Sequence, residues 1–276
     1  MSSGAGLDAG RLREQLVDDG TYAALDVVDV TGSTNTDLAA AAGRGAADRT
    51  VLFAEEQRDG RGRLQRQWVS PRGQGLFVSV LLRPQVPPSE LAWVPLLAGI
   101  ALAETVEGTT GVAAGMKWPN DLLLGSGGEW SKGAGILSEM VAGQDGMAIV
   151  LGMGVNVLQQ RDELPGGTGG LPTTSLAAEG ADVDREEFAV ALLTALAAVD
   201  SQWRACAGDV EASGLLARYR RLCWTIGQQV RVELGGDSTL RGTAVDVDTS
   251  GRLVVQSADG GRTPVAAGDV VHVRRA

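Results

Sequence analysis

Among its 276 residues the chain has one histidine, His272, and two cysteines, Cys206 and Cys223. The cysteines lack metal-ligand spacing and have no histidine nearby. A zinc site or a Ser/Cys–His nucleophile is therefore all but excluded. No export signal is present, and the longest apolar run, around 93–103, is too short to span a bilayer and is interrupted by Pro95. These absences predict a cytoplasmic protein with no membrane partner. An excess of positive charge is also missing: 24 basic side chains against 34 acidic ones give 24 − 34 = −10. The molecule as a whole repels DNA, so nucleic acid is not an expected partner. There is no Walker-type loop, and lysine is scarce. Any chemistry on an anion must rest on a local cluster of cations.

Such a cluster exists. Residues 58–66 hold Arg58, Arg61, Arg63 and Arg66 against one acid, Asp59. On charge alone this is a solvated loop. The interleaved Gly60 and Gly62, which let a backbone approach a ligand closely, and the closing Trp68 shift the reading toward a ligand loop. Arg61 and Arg63 share a face if the segment is extended, and their guanidinium forks suit phosphate or carboxylate. Lys117, in the run Lys-Trp-Pro-Asn-Asp at 117–121, and Lys132 add two further cations. The set suits an enzyme that handles a nucleotide phosphate and an acid.

Periodicity predicts an α+β chain in which a mixed central sheet is flanked by helices. Residues 1–24 read as a short helical extension ending near Gly20. Strands are expected at 25–30, 50–56, 75–83, 112–118, 121–124, 133–141 and 147–157. Thr31–Asn35 opens an alanine-rich helix, and Ser89 is placed as the cap of a helix running through Leu102. Pro119 holds Trp118 extended, at a rigid strand end. Glycine-rich patches at 125–128 and 165–170 read as turns or loops, and 186–203 and 210–222 as helices. From Gln228 onward alternating valines and the turns 248–251 and 258–261 predict a small barrel of about five strands. The domains are thus 25–226 and 227–276.

Several motifs in order carry a resemblance. They are Ser33-Thr-Asn35, Ala54-Glu-Glu-Gln57 with Gly60-Arg-Gly-Arg63 and Arg66-Gln-Trp68, Lys117–Asp121, Lys132-Gly-Ala-Gly-Ile-Leu-Ser-Glu139 and Gly152-Met-Gly-Val-Asn156. With these the chain resembles biotin protein ligases, which activate biotin with ATP and attach it to a lysine of a carrier domain. The resemblance spans roughly residues 25–276. It implies a class II synthetase-like catalytic domain and an SH3-like C-terminal barrel. Gln65 departs from it, standing where the family usually has glycine. Members that repress transcription carry a winged helix-turn-helix before the catalytic domain; with the first strand near residue 25, the ligase-only class is expected.

The resemblance also implies roles. Ser33, Thr34, Asn35, Gln57, Arg61, Gly62, Arg63, Lys132 and Gly135 would bind biotin. Arg61, Arg63, Arg66, Trp68, Lys117, Asn120, Lys132 and Asn156 would bind ATP. Lys132, Arg63 and Lys117 would be catalytic, with Lys132 between the biotin carboxylate and the α-phosphate. Mg²⁺ would accompany ATP, held largely by phosphate oxygens, so no protein ligand is named. Read as residues alone, Trp68 is as well a core tryptophan as an adenine platform, Ser33 and Thr34 could be helix caps, and Asp121 could be a turn acid or could orient a lysine or water. The arginine loop is expected to order over the adenylate. The implied partner is the biotin carboxyl carrier domain of acetyl-CoA or related acyl-CoA carboxylases, with pyruvate carboxylase among the candidates. A lipoate or octanoate protein ligase of the same fold and a non-catalytic biotin sensor are the alternatives.

Overall fold

A computed structural model describes residues 6–63, 66–126, 129–143, 146–167, 171–234, 239–266 and 269–272. Asp8 caps the first helix, α1 (Ala9–Leu16), its side chain accepting from the N–H groups of Gly10 and Arg11. Leu12 and Leu16, four apart and so on one face, are buried in the main core. The N-terminal helix is thus packed into the main core.

Seven strands form one mixed sheet: β1 (Ala24–Thr31), β2 (Thr50–Gln57), β3 (Gly75–Leu82), β4 (Ala113–Lys117), β5 (Asp121–Ser126), β6 (Glu129–Gly143) and β7 (Gly146–Asn156), in the order β1-β2-β3-β7-β6-β5-β4. Among the described strands of this sheet the parallel pair is β1–β2, joined by a helix, α2 (Thr34–Gly43), as a crossover requires. Side chains alternate between the two faces. Val78, Val80, Met153 and Val155 join the large core with the helices α3 (Val94–Thr110) and α4 (Arg185–Ala205). Leu81, Ala148 and Val150 pack instead on Leu38 and Ala42 of α2. Because α2 covers only part of that second face, the rest of it is available for a site.

Two expected helix starts are corrected. The segment after β3 begins as a 3-10 turn, Pro88–Trp93, and Ser89 caps nothing, its hydroxyl going to Glu90. Pro95 sits in the first turn of α3, where its missing N–H costs no bond. Pro88–Thr110 is apolar and long enough to cross a membrane, yet most of it is buried within the protein, as in a core helix. The predicted helix over 210–222 forms only as α5 (Leu215–Leu222); Val210–Ser213 make a turn, and Gly214 at φ +73° starts the helix. The patch at 125–128 begins as the end of β5; its residues 127–128, like 168–170 of the later patch and Gln65, lie outside the described residues.

The C-terminal unit contains β8 (Gln229–Glu233), β9 (Thr239–Val247), β10 (Leu253–Gln256), β11 (Arg262–Val265) and β12 (Asp269–His272). They form an antiparallel sheet ordered β11-β10-β9-β8-β12. Its 248–251 turn is held by two tryptophans that precede it in the chain. Trp93 Nε1 donates to the Thr249 carbonyl at 2.6 Å, and Trp118 Nε1 to the Gly251 carbonyl at 3.0 Å. Trp118 itself lies in the β4–β5 turn, joined to Pro119 by a cis peptide bond, rather than in the extended strand end expected.

Two features give direct tests of the packing. Arg185 reaches Glu55 with Nη2 at 2.9 and 2.7 Å from its two oxygens, both side chains being buried. Arg185→Ala leaves that carboxylate buried and unpaired, so urea unfolding should find about 3–5 kcal/mol less stability. Burial pushes the Cys223 thiol up to about 11, whereas Cys206 is partly exposed. A thiol reagent at pH 8 should therefore modify Cys206 alone in the folded protein, and both after unfolding.

Candidate active site

The open part of the second sheet face is made of glycine. Gly135 and Gly154 are cross-strand partners, and Gly152 lies two residues along β7 on the same face. Each absence of a side chain is occupied by a neighbour. A Cβ on Gly152 would lie 2.2 Å from Asn35 Oδ1; one on Gly154 would lie 2.6 Å from Trp68 Nε1, and one on Gly135 3.0 Å from the far edge of the same indole. Trp68 thus lies along the glycine floor, and its buried Nε1 has no hydrogen-bond partner among the described residues. It is not a core tryptophan, since it lines the cleft.

Lys132 reaches this face through a β-bulge. Leu122 pairs with Ala134 and Leu123 with Lys132, so Gly133 is an extra residue opposite β5. Without it, Lys132 would share a face with Ala134, which is in the core. With it, Lys132 turns to the side of Gly135 and Asp121. Glycine is needed at 133 because a Cβ there would lie 2.5 Å from the Leu124 side chain. Lys132 Nζ sits 2.7 Å from Asp121 Oδ1 and 5.5 Å from the Trp68 ring centroid. Gly133→Ala should therefore misalign Lys132, and the expected result is a fall in kcat larger than any rise in KM, read from steady-state kinetics with the fold checked by circular dichroism.

Lys117 is placed otherwise than predicted. It is buried behind the cleft, with Nζ 3.8 Å from Asp121 Oδ2, and does not line the cavity. Asp121 thus lies within ion-pair distance of both lysines.

The opposite wall is a neutral polar chain. Thr34 donates from its N–H and hydroxyl to Gln57 Oε1 at 2.9 and 3.1 Å. The buried Ser79 hydroxyl lies 2.7 Å from both Thr34 Oγ1 and Asn35 Oδ1. Asn35 Nδ2 donates to Glu139 at 2.8 Å. Ser33, buried at the start of α2, makes no side-chain cap, and Gln57 caps the helix from β2 instead. Ser79 and Glu139 join this chain without being expected there from the sequence. The signal was available: Ser79 is the one polar residue in the strand Gly-Leu-Phe-Val-Ser-Val-Leu-Leu, and Glu139 closes the Lys132 motif.

The arginine loop is a small hairpin. Gly62 N–H donates to Arg66 carbonyl at 2.7 Å and Trp68 N–H to Gly60 carbonyl at 2.9 Å. Gly60 has no room for a side chain, since a Cβ would lie 2.3 Å from the Trp68 carbonyl oxygen. Arg61 bonds Thr36 at 2.9 Å and lies 3.4 Å from Glu139; Arg63 reaches Asn120 at 3.3 Å. Gly62 and Arg66 also line the cleft. Asn120 and Asn156 do so too, but their amides are used within the protein: Asn120 Nδ2 donates to the Ile136 carbonyl, and Asn156 Nδ2 to that of Thr174. The geometry suits them to hold strand ends around a ligand. Among the described residues no three His, Cys, Asp or Glu side chains gather as a metal cluster.

Comparison with known proteins defines the class. Residues 27–156 match the Biotin/lipoate A/B protein ligase family, and residues 225–273 match the biotin protein ligase C terminal domain. The biotin–[acetyl-CoA-carboxylase] ligase of Mycobacterium tuberculosis is 41% identical over 275 residues, covering 97% of this chain and 96% of the relative. The bifunctional ligase/repressor BirA of Bacillus subtilis is 31% identical over 84% of this chain and 69% of its own length. The structure of Aquifex aeolicus biotin protein ligase in complex with biotin and ATP superposes with a TM-score of 0.74 at 25% identity, covering 92% of this chain and all of that one. The chain belongs to the biotin protein ligase family.

Proposed function

We propose that the chain activates biotin with ATP to biotinyl-5′-AMP and transfers the biotinyl group to a lysine of a biotin carboxyl carrier domain. The observation that carries this is the placement of Lys132: a bulge aims it onto the glycine floor, between the arginine hairpin and the neutral polar wall. A biotin carboxylate and a triphosphate repel one another, and fixed cations at their meeting point lower that barrier. The carboxylate oxygen attacks the α-phosphorus while the bond to pyrophosphate breaks. Lys132 and Arg63 neutralise the charge there, and Lys117 acts from behind through Asp121. Arg61 and Arg66 hold the nucleotide, and Trp68 offers its ring to adenine. Gln57, Thr34, Ser33 and Asn35 face the ureido group, whose donors and acceptors need neutral partners in a closed pocket. A dithiolane ring has no such need, which disfavours lipoate.

Of the two carboxylates beside the cleft, Asp121 is taken by lysines and Glu139 by Asn35 and Arg61. Mg²⁺ would therefore ride on the phosphates, where it offsets their charge. In the second half-reaction the carrier amine attacks the acyl carbon and AMP leaves, so positioning matters more than a strong base. Acyl-CoA carboxylases, and pyruvate carboxylase among related enzymes, are the proposed carriers; the cytoplasm is the proposed location, without a nucleic-acid partner. A domain division near residue 226 accompanies this reading. Pyrophosphate release with purified protein, ATP and Mg²⁺ should depend on biotin and not on lipoate. Release with lipoate alone would move the substrate, and release with neither would leave a biotin sensor.

A further inference from the structure

Lys117 and Lys132 are the only lysines in the 276 residues; the other 22 basic side chains are arginine. The enzyme thus makes a reagent for amines while exposing almost none. Lys132 lines the cleft in which the reagent would form and Lys117 lies behind it, and both are tied to one carboxylate, Asp121, at 2.7 and 3.8 Å. Lys117 is 3% exposed, and Lys132 has the Trp68 ring on its other side. An amine held against a carboxylate must leave that partner before it can attack.

Resting on the adenylate chemistry above, we infer that the chain is built against acylation by its own product, and that Asp121 is the residue that protects the two site lysines. The reaction avoided is specific. Neutral Lys132 Nζ would attack the acyl carbon of the mixed anhydride, an N–C amide bond would form and the acyl C–O bond would break. AMP would depart with the bonding pair and the amine proton would pass to water. The product would be an enzyme permanently biotinylated on its own catalytic lysine, its cation lost after one turnover. Asp121 guards against this by keeping the amine engaged, so it is a positioning residue for both lysines. On the outer surface, arginine in place of lysine gives charge without a nucleophile, because guanidinium is not deprotonated in proteins.

The test uses synthetic biotinyl-5′-AMP, which bypasses the first half-reaction and so separates this idea from the assignment of activity. Full-length wild type, Asp121→Asn and Arg58→Lys are each incubated with the adenylate and a lysine-bearing bystander protein. Peptide mapping then reads positions 58, 117 and 132 individually, so labelling of an α-amino group does not enter. The bystander should be labelled in every tube. Wild type should carry no biotin at either lysine, Asp121→Asn should carry it on Lys132, and Arg58→Lys, a change at an exposed position, should carry it at 58. Asp121→Glu should restore protection, an outcome a merely structural defect would not give. Where Asp121→Asn does not fold, Asp121→Ser takes its place. Biotin on Lys117 or Lys132 of the wild type, or clean Lys132 in a folded Asp121 variant, overturns the inference.

Discussion

Lys132→Ala should lower biotin-dependent pyrophosphate release by about 10²–10³-fold, the usual loss when one preorganised group facing developing charge is removed. The fold should survive, since the side chain lines the cleft and not the core, and Lys117 remains to pair with Asp121. Biotin binding, measured by calorimetry without ATP, should weaken far less than the rate falls. A rate within a few fold of wild type would remove Lys132 from the chemistry. Lys132→Arg is the informative companion: it keeps the charge but brings a larger planar fork, and the room between Asp121 and Trp68 is set for an ammonium.

The second large effect concerns retention. Arg63 stands in the hairpin that closes over the cleft and bonds Asn120, tying the loop to the β4–β5 turn. Arg63→Gly removes a charged hydrogen bond and stiffness together, and charged hydrogen bonds contribute about 1.5–3 kcal/mol. Dissociation of biotinyl-5′-AMP should accelerate by about 10–100-fold. The escaping anhydride should biotinylate bystander proteins, while label on the enzyme itself stays low. Unchanged adenylate release in a rapid filtration assay would sink this role. Protease cleavage within 58–68 should also slow when biotin and ATP are present; equal cleavage would speak against loop ordering.

Most of the architecture could be read from the chain. Each sheet strand announced itself by a valine- or leucine-rich run between glycines and prolines, and each was found within a few residues of its expected span. The failures share a cause. A serine before an apolar run usually caps, which favours Ser89, but Pro87 and Pro88 commit the backbone to a 3-10 turn. Val210–Ser213 fit a helical period, yet Gly214 at positive φ sets a later start. In both places local geometry overrode composition. The site residues were visible as types, and their arrangement was not. Nothing in Lys-Gly-Ala-Gly marks which glycine is the skipped one, and a bulge reverses the facing of every residue beyond it. Likewise, no spacing rule tells that Lys117 ends behind Asp121 rather than in front of it. Ser79 stands out as the one polar residue of an apolar strand, but only the fold shows its hydroxyl joining two predicted ligand-binding residues.

The two indole contacts to the 248–251 turn bear on how the molecule may be dissected. Trp93 and Trp118 are buried, and the backbone that accepts their N–H groups comes from the C-terminal sheet. Cutting the chain near residue 226 to obtain a minimal catalytic fragment would strand both donors and strip cover from two large rings. Trp118 is two residues from Asn120, whose side chain holds Arg63. The damage would thus propagate to the arginine hairpin, and weak activity in such a fragment would report a torn joint, not a carrier-binding role of the missing sheet.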